Sequence, residues 1–188
     1  MGYELTALAG GSEAIAAAAE AVRSSPARLR QGFLLLPVTD EVFDQLGRGG
    51  ERPYGEMFWF LSGGIAEVAA RASSVSPVAY LEAELSGGTG TQASVVWEAG
   101  EVVFGPVKTD FRPTDAPRRR GIRGLALRLR GGGEPAREDW PFNAALRCLG
   151  VETGAADDMF DAVDLGRHRH TDEWAAEADS DPASTTST

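Results

Sequence analysis

Hydrophobic and polar positions alternate most regularly between residues 77 and 106. Successive side chains on a strand leave on opposite faces, so a strand over 78–85 would point Ala79, Leu81, Ala83 and Leu85 one way and Val78, Tyr80, Glu82 and Glu84 the other. Residues 92–98 repeat the alternation, with Ala93, Val95 and Trp97 on one face. Between the two lies Ser86-Gly87-Gly88-Thr89-Gly90, a turn whose glycines suit positive φ. Ala99-Gly100 then predicts a two-residue hairpin turn into a third strand over 102–104, and Gly105-Pro106 closes the unit. Three strands at these spacings predict an antiparallel meander.

The flanking segments fill in the rest of a fold. Residues 3–8 alternate as a first strand, which Gly10-Gly11 should break. Ser12 can cap a helix over 13–22, rich in alanine and carrying Ala14, Ile15, Ala18 and Val22 on one stripe. Residues 31–38 are continuously apolar, which predicts a strand covered on both faces. Pro37 cannot donate to a ladder, so the strand should end there or lie at an edge. Thr39 or Asp40 should cap a helix over 41–46 that points Val42, Phe43 and Leu46 inward, and 47–55 reads as a glycine-rich loop. The MFWFL run at 57–61 reads first as core and second as a ligand or partner surface. Ser62 opens a helix over 64–73 with Ile65, Val68, Ala69 and Ala72 on one face.

From 107 to 140 the periodicity is lost, so that stretch is expected to be a long loop or insertion, with one short strand around 125–129. Pro141 should start a helix over 142–149 that stops at Gly150, and 157–162 reads as a further helical turn. The acidic, Ser/Thr-rich residues 175–188 read as a disordered tail. The resulting expectation is an α+β protein. A single domain spans 1–174, a mainly antiparallel sheet of about five strands with helices packed on one face.

Composition narrows the function classes. The chain has 188 residues, with 28 acidic and 18 basic side chains and a net charge of −10. Such a charge makes nucleic acid an unlikely partner and opposes anionic membranes, and it leaves open a protein partner. Cys148 is the one cysteine, so no intramolecular disulfide can form; its apolar neighbours suggest a buried thiol. The N-terminus lacks the pattern of a signal peptide and the apolar runs are too short to span a bilayer, so the expected compartment is the cytoplasm. No cofactor is expected, and the oligomeric state is not legible.

Four groups of residues carry candidate chemistry. Glu82 and Glu84 would share a strand face roughly 7 Å apart. With Tyr80, Gln92 and Ser94 they make either a partner-binding face or the solvated side of a half-buried sheet. Gly87-Gly88-Thr89-Gly90 resembles a phosphate loop, but a strand follows it where a phosphate site needs a helix N-terminus. His168 and His170 sit in LGRHRHTDEW. On a strand, an H-x-H pair puts both imidazoles on one face, which suits a metal completed by a carboxylate; surface histidines or a structural tie are the plainer reading. The arginines at 118, 119, 120, 123, 128 and 130 could meet RNA or DNA, although no aromatic residue interleaves them. No serine has the setting of a nucleophile elbow.

Three blocks, RQGFLLLPVTDEVFDQL, PVAYLEAELSGGTGTQASVVWEAGEVVFGP and PFNAALRCLGV followed by DMFDAVDLGRHRHTDEW, resemble a group of uncharacterised actinobacterial proteins. That group shares a GGxGxQ hairpin and a terminal LGRHRHT-like segment. This chain departs from it at Leu85 and Ser86, where the group more often has an aromatic, and in a longer link over 107–140. The group has no activity to transfer. Acidic proteins with such a hairpin also resemble antitoxin-like immunity proteins. The function expected is a non-enzymatic protein-binding module, immunity-like or regulatory, using Tyr80, Glu82, Glu84 and Gln92. The alternative is a metal-binding domain or metal-dependent enzyme using His168 and His170 with a carboxylate.

Overall fold

The computed structural model describes residues 2–47, 51–111 and 140–180. Among them the strands form one antiparallel sheet in the order β2-β3-β1-β4-β5-β6. The strands are β1 (Gly2–Gly11), β2 (Ala27–Arg28), β3 (Phe33–Pro37), β4 (Val78–Ser86), β5 (Thr89–Glu98) and β6 (Glu101–Phe111). The helices are α1 (Ser12–Val22), α2 (Asp40–Leu46), α3 (Gly63–Ala72), α4 (Pro141–Cys148), α5 (Met159–Ala162) and α6 (Thr171–Ser180).

The α+β class and the antiparallel meander stand as the sequence predicts. Placing the helices on one face does not: the sheet separates two apolar clusters. On the first face, α1, α2 and α3 cover Leu8, Leu36, Val78, Tyr80, Val95 and Trp97. On the second, α4, α5 and α6 cover Leu5, Ala7, Leu35, Ala79, Leu81 and Val96. The cause is visible in β4. Its first six residues are buried on both sides, so neither side of the alternation is a solvated face. Double coverage needs apolar residues on both faces of the central strands, and β1 meets that with a run of six buried residues from Leu5 to Gly10.

Local details differ from the sequence expectation for physical reasons. Gly10-Gly11 extends β1, pairing with Leu34 and Phe33, and does not break it. Gly11 is the N-cap of α1, with no side-chain cap bond, so Ser12 does not cap. Ser62 does cap: its Oγ accepts from the Ile65 N–H at 3.4 Å. The β4–β5 connection is a two-residue turn with φ of 59° at Gly87 and 82° at Gly88, the backbone of a type I′ hairpin. β6 continues to Phe111, so 107–111 is strand and not loop. Residues 175–180, expected in the tail, belong to α6, where Ala178 packs in the second cluster. The expected loop over 112–139, with its arginines and short strand, and the tail residues 181–188 lie outside the described residues.

The LGRHRHT segment has a structural task. β3 ends at Pro37, opposite Ala7, which leaves the first half of β1 without a strand on that edge. The segment before α6 fills the gap. Arg169 O accepts from the Glu4 N–H at 2.7 Å, and Thr171 Oγ1 accepts from the Thr6 N–H at 3.0 Å. Two central backbone donors are thereby satisfied by an irregular segment and not by a strand.

Candidate functional site

Glu82 organises the most distinctive site. It stands on β4 facing the first cluster and is 5% exposed. Its Oε1 accepts from the Trp59 N–H at 2.7 Å, and its Oε2 accepts from the Phe60 N–H at 2.9 Å and from the Tyr80 hydroxyl at 2.8 Å. A buried carboxylate is costly unless it is hydrogen-bonded, and hydrogen bonds to a charged acceptor are about twice as strong as neutral ones. Here three donors converge, two of them consecutive backbone amides, so the carboxylate clamps the chain at 59–60 onto the sheet.

The clamp decides which aromatics face out. Phe58 is buried and meets Tyr80 edge-on at 5.4 Å between ring centres, and Leu61 is buried beside it. Trp59 and Phe60 are turned away from the core, 54% and 46% exposed. The MFWFL run is thus half core and half surface. Lys108 of β6 reaches across so that its Nζ lies 5.0 Å over the Trp59 ring, a cation–π contact. Beside them is an open cleft of about 160 Å³ lined by Asp40, Phe43, Arg52, Trp59, Phe60, Leu61 and Ser62. Burial pushes the Tyr80 hydroxyl well above its ordinary pKa, and the charge and hydrogen bond of Glu82 push it the same way. It therefore stays a donor to Glu82.

The predicted partner-binding residues do not share one exposed face. Tyr80 is fully buried and Glu82 nearly so; Glu84, one turn of the pleat further on, is exposed. Gln92 pairs with Ala83 and Ser94 with Leu81, so both point to the opposite face from Glu82. There they dock α4: Gln92 Oε1 accepts from the Phe142 N–H at 3.0 Å, and Ser94 Oγ donates to Pro141 O at 2.8 Å. The register forces this. Glu82 and Glu84 share parity with Ala93, not with Gln92 or Ser94.

The histidines lie in the irregular segment before α6, not on a strand. His168 Nε2 is 2.6 Å from Glu177 Oε2 and its ring stands edge-on to the buried Trp174 at 4.8 Å. Arg167 stacks on the same indole at 4.7 Å, donates to Glu177 and to Arg28 O, and so ties α6 to β2. His170 is exposed, and its N–H donates to Glu173 Oε2. The Glu173 carboxyl is held below its ordinary pKa first by the hydrogen bond from the Arg169 N–H, with that of His170 adding. Among the described residues no group of three His, Cys, Asp or Glu side chains gathers that could hold a metal. Cys148 is exposed, not buried as expected, and partial burial raises its thiol pKa despite Arg147 beside it. Among the described residues no helix is long and apolar enough to cross a membrane.

No protein-family model matches the chain, and no curated protein and no solved structure matches it. The resemblance to the actinobacterial group therefore rests on the quoted residues alone. Sequence reasoning read the 57–61 run first as core and second as surface, and did not separate the outward Trp59 and Phe60 from the buried Phe58 and Leu61. A continuous apolar run carries no parity, and the signal that sets their direction is Glu82, 22 residues downstream of Phe60.

Proposed function

We propose that this chain is a non-enzymatic protein-binding module, immunity-like or regulatory in role, that presents Trp59 and Phe60 to another protein. The observation that carries the reading is the Glu82 clamp. The backbone that carries two large half-exposed aromatics is fixed by a buried carboxylate, where an ordinary surface loop would leave it loose. Rigid aromatic anchors lose little conformational entropy on binding and are the side chains most often found at the energetic centre of interfaces. Tyr80 and Glu82 serve the partner by positioning the ledge, Glu84 borders it, and Gln92 acts only on the far face. A single cysteine and an acidic composition agree with the cytoplasm as the working compartment.

The test uses the full chain as bait beside the double variant W59A/F60A, with the product of the adjacent gene as the first candidate. The double variant should melt somewhat lower, because both rings are about half buried and Phe60 packs 5.8 Å from the core ring of Phe43, so binding is compared well below either melting temperature. A protein bound by the parent and lost by the double variant supports the reading. Equal binding by both sinks it.

A further inference from the structure

Among the described residues, none covers the first face of the sheet at one end. Helices and the 57–61 segment cover it as far as the Glu82 row, and the next row runs Glu4, Glu84, Thr91, Asp110 across β1, β4, β5 and β6. Glu4, Glu84 and Asp110 are all exposed. At a strand spacing of about 4.8 Å, Glu4 and Glu84 are immediate neighbours and the row spans about 14 Å. Along β4 the row lies about 7 Å from Glu82, hence directly beside the Trp59–Phe60 ledge. Among the described residues no ion pair engages these three carboxylates. Like charges directly opposite each other on neighbouring strands are destabilising, so the fold carries this row at a cost that a bound cation would relieve.

We infer that the docking partner is a basic protein segment, whose arginine or lysine side chains lie along Glu4, Glu84 and Asp110 while its apolar residues pack on Trp59 and Phe60. The inference rests on the protein-binding reading above and adds the chemistry of the partner. Two independent features select that chemistry. The row offers acceptors spaced at one and two strand separations, which suits successive basic side chains of a segment laid across the strands. The ledge offers an indole that already holds the Lys108 ammonium 5.0 Å over its ring, and guanidinium groups stack on such surfaces readily. Along the row an acidic partner would meet three carboxylates, Glu4, Glu84 and Asp110, against the Lys108 ammonium and the Arg52 guanidinium at the cleft.

The chain as a whole is strongly acidic, so the experiment must separate docking at this face from general attraction of a polycation. The probe is a peptide of about twelve residues with six arginines interspersed with leucine and glycine, titrated into the ¹⁵N-labelled full chain. The four tryptophan indole signals report on location, with Trp59 assigned from W59F. The Trp59 signal should shift saturably. Affinity should fall about tenfold in E4Q/E84Q/D110N and less than about twofold in E13Q/E20Q/D179N, which removes the same charge from exposed positions elsewhere. E84Q alone, whose fold loses only a repulsion, should lose about threefold. An equal loss in both triple variants, or an unshifted Trp59, overturns the inference. A protein captured by the parent that W59A/F60A loses and E4Q/E84Q/D110N still binds also overturns it, while leaving the protein-binding reading standing.

Discussion

Replacing Glu82 by Gln keeps the shape of the side chain and removes the feature that makes the clamp work. The carboxylate accepts three hydrogen bonds and donates none. An amide has one acceptor oxygen. Whichever way it is turned, its NH₂ faces one of two backbone donors, Trp59 N–H or Phe60 N–H. The Tyr80 hydroxyl can rotate and accept, so it adapts. One backbone N–H does not. Leaving a buried donor unpaired costs about 1–3 kcal/mol, and the remaining bonds fall from charged to neutral strength, about 1 kcal/mol each. Water reaching the half-exposed 59–60 amides, and the easier burial of a neutral group, offset part of this. The net expectation for Glu82→Gln is a loss of about 2 kcal/mol. For a chain of this length that corresponds to roughly 4–8 °C in Tm. Urea unfolding followed by circular dichroism measures it, with the midpoint lowered and the m-value unchanged. The same variant should become sensitive to proteolysis near residues 59–60, because the segment is released locally before the sheet unfolds. A loss below about 0.5 kcal/mol, or an unchanged cleavage pattern, would refute the claim that the carboxylate holds the ledge.

Three further outcomes are expected. The chain's three tyrosines, Tyr3, Tyr54 and Tyr80, all have pKa values raised by burial, so their stabilising effect is complete below about pH 10 and is lost as pH rises, when the unfolded chain ionises and the native one does not. Phenolate absorbance should therefore appear together with unfolding; ionisation of all three in a native protein near pH 10 contradicts the burial argument. Ala99 holds φ of 51° in the exposed β5–β6 turn, a conformation that costs a residue with a Cβ about 1 kcal/mol. Ala99→Gly should raise stability by roughly 0.5 kcal/mol in the same urea assay, after the extra freedom of glycine in the unfolded chain is subtracted, and a destabilised variant would show the turn is held by something else. Zinc should leave Tm unchanged, because His168 is committed to Glu177 and His170 points to solvent. A zinc-dependent rise in Tm that H168A/H170A abolishes would restore the metal-binding alternative.

Much of the architecture is legible in the chain. The alternation over 78–98 sorts each strand within itself correctly, Ala79, Leu81 and Ala83 against Val78, Tyr80 and Glu82, because period two is a property of the backbone and needs no partner. Gly87-Gly88 and Ala99-Gly100 mark both hairpins, and Pro141 and Gly150 bracket α4, for equally local reasons. What alternation cannot carry is which side meets water. Glu82 and Glu84 look alike in sequence. One is a buried clamp and the other an exposed carboxylate, because the 57–61 segment lies over the first and stops short of the second. The register between β4 and β5 likewise sends Gln92 to the opposite face from Glu82, a relation between strands that no single strand contains.

The site follows the same division. Local sequence determined the strands of the meander with their turns, the starts of α2, α3 and α4, and an aromatic cluster at 57–61. Tertiary structure alone decided that helices cover both sides of the sheet and that LGRHRHT closes the open edge of β1. It also decided that Trp59 and Phe60 face outward above the Glu82 clamp. Each of these depends on contacts between residues distant in the chain. Their free energy arises from burying one segment against another, and the order of residues within either segment does not express it.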